Sequence, residues 1–221
     1  MSDLPPRAAG AHRAQIDHLV VGARSLDDGR RWAEALLGCP PGAAGSHPTM
    51  GTVNVLWSLG ACYLEVIAID PAAPHPGRPR WFGLDEAGVQ ARLALRPRLL
   101  TWVARPGMPL ADAVARSPVP VGRIERHHRG DLFWHLTVPA DGRPPLGGAM
   151  PGLIEWPDGV APPPTRLPPT GLGLSRLTLP AAPGLAQALQ VLGLAGCAVL
   201  DPAAAGLSAE ISTPRGGVVL D

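Results

Sequence analysis

A strand that runs straight into a capped helix, followed later by two strands on a short connection, occurs twice in this chain, and the repetition leaves few folds open. In the first copy, residues 16–23 read IDHLVVGA, an aliphatic and β-branched run typical of a strand. A helix opens at Ser25, a good N-cap, with Asp27 and Asp28 in a first turn whose dipole favours negative charge. Gly38 and the Pro40-Pro41 pair close it, and Trp32, Ala33, Leu36 and Leu37 recur at helical spacing on the face meant for a sheet. A Gly/Pro-rich loop carrying GSHPTMG leads to strands at 52–59 and 62–69 around Gly60-Ala61. In the second copy, LLTWVA (99–104) is a strand and 109–117 a helix that starts on proline. Strands at 122–128 and 131–139 flank Arg129-Gly130, and GLIEWP (152–157) is the last strand.

The order predicts an α+β protein of tandem βαβββ units over residues 14–160, with a curved mixed sheet and the helices outside. Residues 161–172 are too rich in proline to pair regularly and form a linker or a surface-hugging strap. Residues 173–221 make a partial third unit of βαββ type, with Leu185, Leu189 and Leu192 on one helix face, packed on the paired domain.

Composition narrows the partners. All 19 basic residues are arginine, set against 18 acidic ones for a net charge of +1, which leaves no electrostatic footprint for nucleic acid or an anionic membrane. A small-molecule ligand and a monomer or homodimer are expected. The first fourteen residues hold no apolar stretch of signal-peptide length, and no later segment is long enough to span a bilayer, so a cytoplasmic location is expected. Cys39, Cys62 and Cys197 are odd in number and widely spaced, which argues against a disulfide framework and a thiolate zinc site.

Strand alternation sorts the side chains into faces. His18 travels with Ile16 and Val20, an imidazole inside an apolar strand that needs a hydrogen-bond partner or a metal to offset its desolvation. Asn54 shares a face with Thr52, Leu56 and Ser58, opposite Val53, Val55 and Trp57; Glu65 shares one with Tyr63, Ile67 and Ile69. In the second unit Phe133, His135 and Thr137 lie opposite Trp134, Leu136 and Val138, and Glu155 lies opposite Ile154 and Trp156. With the apolar sides turned to the helices, the polar sides of both units line one cavity. His18, Glu65 and Glu155 then converge as nitrogen and oxygen donors suited to a divalent metal, with His135 nearby.

The stretches at 16–38, GSHPTMGTVN, YLEVIAIDP and RPRWFGLDE resemble the bacterial glyoxalase-like domain family of the vicinal oxygen chelate (glyoxalase/bleomycin resistance/dioxygenase) superfamily, over about residues 16–160. The resemblance implies paired βαβββ units that form a metal-lined bowl, with ligands on the first strand (His18) and on the last strand of each unit (Glu65, Glu155). The superfamily's fourth ligand belongs on the strand LLTWVA, where Thr101 or Trp102 stands instead, and Val53 stands where the subfamily often carries histidine. The implied activity is that of a lyase, isomerase or dioxygenase in which zinc, manganese, iron or nickel polarises adjacent substrate oxygens. Glu155 is then ligand or base, Tyr63 and His135 are catalytic, and Asn54, His47, Trp81 and Phe133 contact substrate. The alternative is a metal-free binding or sequestering protein of the same fold, with Trp57, Trp81, Phe133 and Trp134 as aromatic contacts. His47 and His75, in proline-rich loops, are otherwise expected to be exposed, and His127 and His128 read as a solvated hairpin rim.

Overall fold

The computed structural model describes residues 13–221; most of the segment read above for a leader falls outside them. The first unit comprises β1 (Gln15–Gly22), α1 (Leu26–Leu37), β2 (Gly45–His47), β3 (Thr52–Ser58) and β4 (Tyr63–Ile69). The connection to the second unit holds a 3-10 turn at Trp81–Gly83 and then α2 (Ala87–Leu93), a short helix the sequence pattern does not announce. The second unit comprises β5 (Arg98–Arg105), α3 (Leu110–Arg116), β6 (Arg123–Arg129), β7 (Leu132–Val138) and β8 (Gly152–Glu155).

Local signals set α1 as expected. The Ser25 hydroxyl accepts the backbone N–H of Asp28 at 3.1 Å, and Gly38 ends the helix at φ 79°, a left-handed conformation open to glycine at little cost. Gly29 faces the sheet, where an added Cβ would stand 2.5 Å from Val66 Cγ1, so only glycine lets the helix lie this close.

The eight strands form one curved mixed sheet in the order β2-β3-β4-β1-β5-β8-β7-β6. β1 runs parallel to β4, β5 runs parallel to β8, and β1 meets β5 antiparallel, so the two units are related by a pseudo-twofold axis between β1 and β5. Register makes the equivalence specific. The pairs His18↔Val103 and Val20↔Thr101 are images of each other, which matches Thr101 to His18. Val20↔Glu65 and Val103↔Gly152 are likewise images, which matches Gly152 to Glu65. The ends of the sheet curl together until Arg129 on β6 donates to the Ala43 carbonyl beside β2 at 2.8 Å, making a nearly closed bowl.

Two apolar cores lie on either side of the sheet. The outer one includes Leu19, Trp57, Leu64, Trp102 and Leu153 with α1 and α3; the inner one, inside the bowl, includes Val20, Ile67, Trp81, Val103, Trp134, Leu136 and Ile154.

The remaining chain joins the outer core. β9 (Gly173–Pro180), α4 (Leu185–Val191), β10 (Val199–Asp201), β11 (Ser208–Thr213) and β12 (Gly216–Leu220) form a second sheet in the order β10-β9-β11-β12. This third unit has one strand more than expected and a different pairing: β9 takes the next strand, β10, as its parallel mate, whereas β1 and β5 each take the last strand of their unit. The proline-rich run is a strap. Thr170 Oγ1 donates to the Ser58 carbonyl at 2.6 Å and Arg166 pairs with Asp131 at 2.9 Å, holding a 3-10 turn at Pro163–Thr165 against the bowl. Among the described residues no helix is long and apolar enough to cross a membrane.

Candidate functional site

The inside of the first unit carries a buried polar chain that begins at a β-bulge. Between Ile16 and His18 the β1–β5 register slips by one residue, and Asp17, 0% exposed, joins His18 in the same network. Asp17 Oδ1 lies 2.8 Å from His18 Nδ1, while its Oδ2 accepts Arg105 Nε at 2.6 Å and Trp156 Nε1 at 2.8 Å. Burial alone would raise the Asp17 carboxyl, but the hydrogen bond and charge of His18, then Arg105 and Trp156, hold it below its ordinary 3.8. An ionised Asp17 can only accept, so His18 carries a proton on Nδ1 and turns Nε2 toward the cavity.

His18 Nε2 stands 3.6 Å from Glu65 Oε2. The other Glu65 oxygen accepts the Asn54 amide at 2.6 Å, and Asn54 Oδ1 accepts Arg129 Nε at 2.8 Å, which fixes the amide from both ends. Arg129 reaches Asn54 by crossing β2 at Gly45, where an added Cβ would fall 1.9 Å from its Nε. His47, 3% exposed, lies 3.4 Å from Asn54 Nδ2 through Nε2 and 3.1 Å from Thr52 Oγ1 through Nδ1. Because the Asn54 nitrogen only donates, His47 Nε2 is the acceptor. Burial, followed by the charges of Arg129, His127 and His18, pushes its pKa down to about 3, so the ring is neutral at pH 7. Tyr63 stacks on His18 at 4.5 Å between centroids, and burial together with Asp17 and Glu65 raises its phenol well above 10, keeping it a donor.

These groups open on a small cavity, of about 20 Å³, whose other walls are Leu56, Trp81, Phe82, Leu132, Trp134, Leu136, Trp156 and, from the strap, Pro163. Of the residues singled out from sequence, the structure brings His18, His47, Asn54, Tyr63, Glu65, Trp81 and Trp134 together here. It does not bring Glu155, His135 or Phe133. The bowl side of the second unit is its apolar side, so Trp134, Leu136 and Ile154 point inward, and Phe133, His135 and Glu155 point out. Glu155 accepts the backbone N–H of Leu110 at 2.8 Å at the start of α3, and His135 pairs with it across the outer face. Phe133 lies under the Arg126 guanidinium, 4.6 Å from its ring centroid.

Trp57 packs in the outer core with its indole on the Cys39 carbonyl at 3.0 Å. His47 and His127 are buried rather than exposed; His127, 2% exposed, sits 4.9 Å from Trp81 between ring centroids, while His75 and His128 are exposed as expected. Sequence reasoning missed Asp17, Arg129, Phe82 and Trp156. The one usable signal was an acidic residue between Ile16 and His18 in a strand otherwise fit for full burial.

The superfamily's divalent metal can be tested against this donor set. Its four ligand positions carry His18 and Glu65 in the first unit but Thr101 and Gly152 in the second. The Thr101 hydroxyl is spent on the Gly148 carbonyl at 3.1 Å. His47 cannot complete the set, because the Asn54 N–H group already lies between it and Glu65. Among the described residues no three His, Cys, Asp or Glu side chains form a group that can hold a metal ion. The residues present do not fit the four-ligand metal.

Residues 16–192 match the model of a family described as a glyoxalase-like domain. No curated protein matches the chain. Among solved structures, a hypothetical protein from Staphylococcus aureus is similar at a TM-score of 0.51 and 13% identity, covering 76% of this chain and 70% of its own. The methylmalonyl-CoA epimerase from Mycobacterium tuberculosis aligns at a TM-score of 0.44 and 15% identity, over 69% of this chain and 94% of that one. At 13% identity, the likeness to the Staphylococcus aureus protein carries the fold alone.

Proposed function

The chain belongs to the glyoxalase-like domain family of the vicinal oxygen chelate superfamily, and from that premise we propose that it is a small-molecule enzyme, an isomerase or lyase, that moves a proton next to a substrate carbonyl without a metal. The observation that carries the reading is the line Asp17–His18–Glu65: a carboxylate with one free oxygen facing an imidazole whose tautomer is fixed from behind, at the wall of a cavity lined by aromatic side chains. Such pairs of titratable groups at hydrogen-bond reach of a bound molecule are the usual apparatus of general acid–base catalysis.

In this mechanism Glu65 Oε2 takes the proton from the carbon beside the carbonyl, while Asn54 keeps Oε1 occupied and so aims Oε2. The developing enolate oxygen is held by the donors available at the wall, the Tyr63 phenol and the Arg129 guanidinium. His18 Nε2 carries the proton onward to the product, and Asp17 stabilises the imidazolium that forms in between. Return of the proton gives an isomerase; loss of a group from the neighbouring carbon gives a lyase.

Exchange of solvent deuterium into C3 of 2-oxobutanoate, followed by proton NMR, tests this directly, since that acid offers a carbonyl, an adjacent C–H and a carboxylate for Arg129. The protein should accelerate exchange, and Glu65→Gln should lose about 10²–10⁴-fold of it. Exchange equal in wild type, Glu65→Gln and buffer would favour the second reading, a binding protein, for which the aromatic lining of Trp81, Phe82, Trp134 and Trp156 speaks. A wild-type rate that falls on EDTA treatment would return the metal to the reaction.

A further inference from the structure

The cavity at Glu65, of about 20 Å³, has room for about one water, whereas a carbonyl acid such as 2-oxobutanoate is several times larger. A wall of the bowl must therefore move to admit one. Leu56, Leu132, Trp134 and Leu136 are fixed in the ladders of β3 and β7, but Trp81 and Phe82 hang from the connection between β4 and α2. Two features of that connection favour departure. Phe82 holds φ 59°, a conformation costly for a large side chain that persists only where its surroundings enforce it. The Trp81 indole N–H is buried and has no hydrogen-bond partner among the described residues, so lifting it into water gains a bond and breaks none. Upstream, Gly77 sits at φ 72° with nothing within 4 Å of an added Cβ, a free point about which the chain can turn.

We propose that residues 78–85 are a lid over the bowl, turning on Gly77 and on the start of α2, where Glu86 makes no side-chain cap, and that a ligand reaches Glu65 and His18 when Trp81 and Phe82 lift out. Arg80 binds Asp85 through its backbone N–H and through its guanidinium, at 2.7 Å each, so the lid holds together as it moves. It is tied across to the bowl by Arg78 on Glu125 at 2.6 Å, by Arg80 Nε on the Gly51 carbonyl at 3.3 Å, and by the Gly83 N–H on the Gly142 carbonyl at 2.8 Å. The Arg78–Glu125 pair, 34% and 24% exposed, is a latch within reach of water and so a weak one. Shut, the lid wedges Trp81 between His47 and His127, 4.9 Å from each between ring centroids. What the lid admits rests on the proton-transfer reading; that it opens does not.

Hydrogen exchange of the indole N–H groups, followed by NMR on the ligand-free protein, reads the opening. The Trp81 signal, assigned with Trp81→Phe, should exchange ~10²-fold or more faster than that of Trp102, which is fully buried, bonded to the Ala149 carbonyl at 3.0 Å and released only by global unfolding. Glu125→Gln slackens the latch and should speed Trp81 about two- to fivefold; Arg78→Gln does so from the lid side should the first variant fail to fold. Glu155→Ala, which loosens α3, should speed Trp102 and leave Trp81 alone. Carbethoxylation of His18 by diethyl pyrocarbonate, a reagent far larger than the cavity, reads admission by peptide mass spectrometry: its rate should rise with that of Trp81 in the latch variants, while exposed His75 reacts alike in all. Trp81 exchanging at the rate of Trp102, Trp81 indifferent to both latch variants, or a His18 rate that does not follow Trp81 and so assigns entry to another wall such as the strap would each overturn the proposal. Neither measurement uses a substrate, so failure to label 2-oxobutanoate discards the proton-transfer reading and leaves the lid standing.

Discussion

Replacing Asp17 with asparagine exchanges one atom and disturbs three hydrogen bonds. The carboxylate takes His18 on Oδ1 and both Arg105 and Trp156 on Oδ2, at 0% exposure. An asparagine has one oxygen to offer. Turned toward Arg105 and Trp156, its NH₂ group faces His18 Nδ1, which must then accept; the imidazole proton moves to Nε2 and points at Glu65, where no substrate proton can be received. Turned the other way, it leaves two donors facing a donor. The first arrangement costs less, and still strips the negative charge from beside Arg105, whose side chain is 25% exposed. Removing one partner of a buried pair costs about 3–5 kcal/mol, and partial exposure of Arg105 puts this case at the lower end, about 3 kcal/mol. For a chain of this size that is a fall in Tm of about 6–12 °C.

Calorimetry at pH 7 reads the stability of the Asp17→Asn protein, and nitrogen-15 NMR of the histidines reads the tautomer. Since the Asp17 carboxyl is lower in the folded than in the unfolded protein, its stabilisation is complete above pH 3.8 and lost as the pH falls through the lower folded value. The gap between the two proteins should therefore stay open down to about pH 4 and close only below it. Melting within about 1 °C of wild type at pH 7, with His18 still protonated on Nδ1, would refute the account of this network.

Two further outcomes follow from Glu155 and His47. Glu155→Ala should lower stability by about 1 kcal/mol through loss of its bond to the Leu110 N–H and leave 2-oxobutanoate affinity unchanged; lost affinity at unaltered Tm would return Glu155 to the site. His47, held neutral with a pKa of about 3 against 6.5 in the unfolded chain, contributes stability that is full above pH 6.5 and drains away as the pH falls toward 3. Urea titrations between pH 7 and pH 4 should show His47→Gln losing roughly 3 kcal/mol less than wild type over that range; parallel curves would refute it.

The first unit was legible because its two faces differ in kind. Val53, Val55 and Trp57 are apolar and go to the helix, so Asn54, Tyr63 and Glu65 had to face the bowl. In the second unit the same alternation gave the right pairing of side chains and the wrong side. Parity says which residues travel together; it does not say which set is inside. The rule that apolar faces turn to the helices fails there because the bowl interior is itself apolar, and because α3 is only seven residues long and packs chiefly near β8. Asp17 was invisible for a different reason: a bulge breaks the period of two on which every face assignment rests. His47 looked like an exposed loop residue and His127 like a solvated hairpin rim because nothing local shows that Trp81, remote in sequence from both, closes over them.

The charge balance of the site bears on the metal independently of ligand positions. Two carboxylates lie in the polar chain, Asp17 and Glu65, and two guanidinium groups reach it, Arg105 at 2.6 Å from Asp17 and Arg129 at 2.8 Å from the amide that holds Glu65. A divalent ion added to that set would leave two positive charges in a low-dielectric interior with nothing on the protein to offset them. The superfamily's four-ligand arrangement avoids this by drawing carboxylates from both units, but here the second unit offers Thr101 and Gly152 and sends Glu155 to the outside. With its charges already matched, the first unit gains most from a ligand that is polar at one end, able to accept from Arg129 and Tyr63, and uncharged where it meets Trp134, Trp156 and Phe82.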